Sequence, residues 1–152
     1  MSSAGQVFVA ALIGLPVAIL VHELGYATAG LRFTTKPVMV RVGQSQLCAR
    51  VKIGRLAVTL SPFASSGTCT AAGRFARRPA LVFVLAGVSA NLSIAAVVGV
   101  LALNSQPGTR PAMLTFAAIN AFGISNLLPS YALTGRPLDG LRALRLLQNR
   151  PQ

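Results

Sequence analysis

The sequence predicts an all-α membrane protein, with three membrane-spanning helices and a small β-hairpin between the first two. Hydrophobic residues make up 53% of the 152-residue chain, and charged residues only 11%. A soluble domain carries about 25% charged residues, so much of this surface is expected to face lipid. Mean hydropathy is +0.65. Three runs reach the roughly 20 apolar residues that a spanning helix needs. The length allows one domain, residues 1–152.

The first run extends from Val7 to Leu31 and is broken only by His22 and Glu23. "ATA" at 27 to 29 mimics a signal-peptide cleavage site. Residues 1 to 6 carry no cation, however, and the apolar stretch is longer than a signal core, which favours a span. The second run is Ala80 to Leu103 and the third Ala112 to Leu133. Leu56 to Gly73 is apolar but rich in Ser, Thr and Gly, and reads as a loop or re-entrant piece.

Residues 37–55 carry the hairpin. Val38, Val40 and Val42 alternate, and Leu47, Ala49, Val51 and Ile53 repeat the pattern beyond Gly43 to Gln46. A period of two around such a turn marks paired strands. The hairpin is expected to cap the helices; an edge strand that pairs with a substrate is the second reading. Residues 139–148 read as a C-terminal amphipathic helix with Asp139 as its N-cap. Arg142 and Arg145 form a stripe facing solvent or lipid phosphate.

The net charge of +12 does not point to nucleic acid. The cations sit between apolar runs, and no RNA-binding aromatic signature is present. Basic flanks beside anionic headgroups explain the charge better. Residues 32 to 79 carry Arg32, Lys36, Arg41, Arg50, Lys52, Arg55, Arg74, Arg77 and Arg78. Loop 104 to 111 has only Arg110, and the tail has Arg136, Arg142, Arg145 and Arg150. The positive-inside rule then puts the N-terminus outside and the C-terminus in the cytoplasm. Cys48 and Cys69 form no CxxC pair and are expected to be reduced thiols in a cytoplasmic loop.

His22 is the only histidine, and Glu23 and Asp139 are the only acids. A charge at mid-membrane costs about 2.5–3.5 kcal/mol on insertion scales, so such groups mark a site. Pro129 lacks a backbone donor and should break the third run, letting the chain return Asp139 to the depth of His22.

"HELGY" at 22 to 26 is similar to the HExxH zinc motif. "NLLPSYALTGRPLDGLRAL" at 126 to 144 resembles the Asn-Leu-Leu-Pro and Leu-Asp-Gly elements of the site-2 protease family of intramembrane zinc metallopeptidases. "LAGVSANLSIA" at 85 to 95 resembles that family's Ala-Gly-Pro-x-x-Asn segment, with Val88 in place of proline. The resemblance covers about Val7 to Leu147.

It implies one zinc ion held by His22 and Asp139, with Glu23 as general base on a zinc-bound water. It also implies cleavage of transmembrane substrates near the cytoplasmic side. Asn91 and Asn126 would line the site or bind substrate; hydrogen bonding across helices is their other reading. The sequence departs from the motif at Tyr26, which stands where the second histidine belongs. Positions i and i+4 share a helix face, so Tyr26 points correctly, but a phenol with a pKa of about 10 is a poor zinc ligand.

Two functions follow. One is a zinc peptidase with Tyr26 as a candidate third ligand. The alternative is a catalytically inactive relative that binds membrane helices without cleaving them. A proton or ion carrier ranks third, because three spans make a thin pore.

Overall fold

The computed structural model describes residues 2–62, 64–132 and 135–148; the expected end of the third run at Leu133 and the tail cation Arg150 lie outside them. The chain runs α1 (Ser3–Phe33), β1 (Val38–Val42), β2 (Ala49–Ile53), β3 (Leu56–Leu60), β4 (Gly67–Ala71), α2 (Arg77–Leu103), α3 (Arg110–Phe122), a 3-10 turn (Gly123–Leu127) and α4 (Asp139–Leu147). The architecture is mixed α/β and not the expected all-α core of three spans.

Helix α1 is capped by Ser2, whose hydroxyl accepts the Gly5 amide. It ends where the Thr34 amide donates to the Gly30 carbonyl. The Arg55 guanidinium donates to the carbonyls of Leu31 and Thr34, satisfying acceptors that a helix C-terminus leaves open. Helices α1 and α2 have 31 and 27 residues, or about 46 and 40 Å at 1.5 Å per residue. Both are long and apolar enough to cross a membrane. Only 11% and 28% of their most apolar stretches are buried within the chain.

The third run does not make a third span. Helix α3 has 13 residues, or about 20 Å, short of the roughly 30 Å hydrocarbon core. It tightens into the 3-10 turn at Gly123. Leu128 then turns extended at φ −61° and ψ 134°, the conformation favoured before a proline. Helices α1, α2 and α3 pack on one another, and α4 packs on α2 and the 3-10 turn.

The expected hairpin is also replaced. Four strands form a mixed sheet in the order β2-β3-β1-β4. Strands β1 and β2 do not pair with each other. Gly54, at φ +56°, turns β2 directly into β3, with Val51 opposite Val58. Strand β1 lies parallel to β3 and antiparallel to β4, with Val40 opposite both Val58 and Cys69. Residues 56 to 73, expected as a loop, thus supply two strands, because β-branched Thr suits a pleated surface. Val38, Val40 and Val42 bury one face of β1 with Ala27 and Ala64. Strand β2 forms the other edge of the sheet and is exposed throughout.

Candidate active site

One helical turn carries three groups of the site. His22, Glu23 and Tyr26 are all buried on α1. His22 and Tyr26, four apart, project from one face, and the His22 Nε2 lies 3.1 Å from the Tyr26 hydroxyl. The rings meet edge to face with centroids 4.8 Å apart, and Phe83 stacks on the far side of Tyr26 at 5.2 Å. Small residues make the room. A Cβ on Gly87 would come within 2.7 Å of His22 Nε2, and one on Gly67 within 2.6 Å of Glu23 Cγ.

Asp139 enters from the other end of the chain. Its Oδ2 lies 3.3 Å from His22 Nε2, and its Oδ1 lies 3.5 Å from Arg142 Nη1. It is the first residue of α4 and not its cap, a position held by Leu138. A carboxylate in the first turn is favoured by the helix dipole. Arg142 differs from its expected place in an outer stripe, since it neutralises Asp139 from inside the pocket. Arg145 does stay outside, donating to the Tyr131 hydroxyl with its guanidinium 5.6 Å from that ring's centre.

These groups line a pocket of about 640 Å³ that also includes Asn91, Asn126, Arg136 and residues 65 to 69. Asn91 is 4% exposed. The Asn91 Oδ1, Glu23 Oε2 and His22 Nδ1 are buried without a hydrogen-bond partner among the described residues. Buried polar atoms are normally paired, so these are free to meet a ligand.

The pocket opens onto a sheet edge. The Gly43 amide donates to the Ser66 carbonyl. In an antiparallel ladder, Ser66, Thr68 and Thr70 therefore bond to β1, while the backbone groups of Gly67 and Cys69 face the free edge. Sequence reasoning missed β4, Arg136 and Arg142; only the alternation in "GTCTA" hinted at the strand. Cys69 is a protonated thiol here, pushed up to about 12 by burial first and then by the charge of Glu23.

Three candidate donor atoms cluster here: His22 Nε2, the Tyr26 hydroxyl and Asp139 Oδ2. A tetrahedral zinc with bonds of about 2.0–2.2 Å keeps its ligand atoms roughly 3.3–3.6 Å apart. The two separations from His22 Nε2, 3.1 and 3.3 Å, are close to that edge. The fit needs the Tyr26 phenol, because the described residues contain no group of three His, Cys, Asp or Glu side chains able to hold a metal. Comparison with protein-family models and with curated proteins finds no match to this chain.

Proposed function

We propose that the chain is a site-2-protease-like intramembrane zinc metallopeptidase that hydrolyses transmembrane segments near the cytoplasmic face. One observation carries this reading. The only histidine and the only two acids of the chain share one buried pocket beside a free strand edge. Two apolar helices long enough to cross a bilayer support the membrane setting. Nine cations fall in residues 32 to 78, the segment that joins α1 to α2, and the positive-inside rule reads such a segment as cytoplasmic, with the N-terminus outside.

His22, Asp139 and Tyr26 would hold the zinc. When bound, zinc lowers the pKa of a coordinated water and polarises a carbonyl. Glu23 takes the proton of the attacking water at its unpaired Oε2 and passes it to the leaving amine nitrogen. The water oxygen first adds to the carbonyl carbon, and the peptide C–N bond then breaks as the nitrogen, now protonated, leaves. The amide and carbonyl edges of Gly67 and Cys69 hold the substrate extended, by strand addition. Asn91 offers its unpaired Oδ1 to a substrate amide.

Glu23→Gln tests the proposal. Cleavage of a transmembrane peptide in liposomes is expected to fall about 1,000-fold while zinc stays bound. Cleavage that persists would remove Glu23 from the chemistry.

The Tyr26 hydroxyl, within hydrogen-bonding reach of His22 Nε2, favours a second reading. Here the phenol closes the metal site, and the pocket binds membrane helices without cutting them.

A further inference from the structure

We infer that the groove between α1 and α2 is a binding site for one anionic phospholipid, with an acyl chain along the helices and the phosphate on Arg32. The groove holds about 860 Å³ and shares no lining residue with the His22 pocket. Its floor exists because small residues meet there. Gly25 packs directly on the Ala86 carbonyl, and Ala29 and Ala90 continue the seam. Phe33, Val82 and Leu85 form apolar walls. Thr28 turns its hydroxyl back to the Leu24 carbonyl, so it offers no donor to a polar guest.

The volume accommodates an acyl chain. Small-molecule pockets span about 300–1,000 Å³, a range that includes the acyl chain of a lipid.

The charge selects the headgroup. Arg32 is exposed in the last turn of α1. A cation there would ordinarily serve the helix carbonyls, but Arg55 already takes those of Leu31 and Thr34. No ion pair among the described residues engages Arg32. Glu23 and Asp139, the only acids, are 6% and 5% exposed and lie in the other pocket. No acidic side chain of the protein is therefore left to pair with Arg32, and the groove beside it is apolar. A lipid phosphate supplies the charge and its acyl chain fills the groove.

The test is native mass spectrometry of the full chain, purified in detergent and offered equal amounts of phosphatidylglycerol and phosphatidylcholine with identical acyl chains. Retention of phosphatidylglycerol over phosphatidylcholine by about tenfold is expected, the scale of one charge-assisted contact. Arg32→Gln should erase the preference. Ser89→Phe, at an exposed groove position, should expel both lipids, while Ser89→Ala and the distant Arg110→Gln should change neither. Equal retention of the two lipids overturns the inference, as does preference surviving in Arg32→Gln or lipid surviving in Ser89→Phe. The inference rests on the membrane setting and not on hydrolysis. Zinc content and cleavage should be unaltered in all four variants, so failure here and failure of the peptidase reading are distinguishable.

Discussion

Asp139 Oδ2 sits 3.3 Å from His22 Nε2, although the two residues come from opposite ends of the chain. Arg142 takes the other carboxylate oxygen at 3.5 Å. Asp139→Asn keeps the shape and removes the charge. Zinc affinity is expected to fall at least about 100-fold, a loss at the upper end of that seen for supporting groups around a metal. A competition titration against a chelator measures it.

Gly87 leaves the space that the His22 ring fills. In Gly87→Ala the new methyl would lie 2.7 Å from Nε2, so the ring must turn. Alanine favours the α2 helix itself by roughly 0.5–1 kcal/mol, so helix content should hold. Cleavage should fall about 100-fold, the cost of misplacing a catalytic group by about 1 Å. Circular dichroism and peptide cleavage, measured together, separate the two effects.

The free edge of β4 has its own test. The Cys69 amide faces away from β1, whereas that of Thr68 bonds to it, by the register of Thr68 with Arg41. Proline is tolerated where an edge N–H points outward. Cys69→Pro should keep zinc and the sheet while lowering kcat/KM about tenfold, equal to one or two lost backbone hydrogen bonds. Thr68→Pro should destabilise the sheet. Thermal melts beside kinetics distinguish the two variants.

Cys69 reports on Glu23. Its thiol is pushed up to about 12 by burial and by the Glu23 charge. Only the thiolate reacts, so iodoacetamide labelling should stay slow at neutral pH and rise about tenfold per pH unit toward 12. Glu23→Gln removes the charge, lowers the pKa and speeds labelling at fixed pH. The linkage sign follows from the raised value. Above pH 9 an unfolded thiol loses its proton while the folded one keeps it, so folding stability falls as pH climbs from 9 toward 12. Mass spectrometry of labelled peptides follows the rate.

Much of the site could be read along the chain because ionisable residues are so scarce in it. With one histidine and two acids, cost alone singles out His22, Glu23 and Asp139, and the structure brings them into one pocket with Tyr26, Asn91 and Asn126. The fold was less legible. Residues 112 to 133 are apolar enough to span, but hydropathy does not register that Gly123, Asn126 and Pro129 end the helix after 13 residues. Thr-rich "GTCTA" reads as loop by composition, and its pairing partner β1 lies 25 or more residues away, beyond any local pattern. Arg142 looked like surface because helical periodicity places it without showing that Asp139 turns inward.

The most direct test of the central claim is zinc per chain, measured by elemental analysis of protein purified in detergent. The account predicts about one zinc in the unaltered chain, lost in His22→Ala and in Asp139→Asn. No zinc in the unaltered chain, with about one in Tyr26→His, would contradict it and leave a helix-binding scaffold whose metal site Tyr26 has closed.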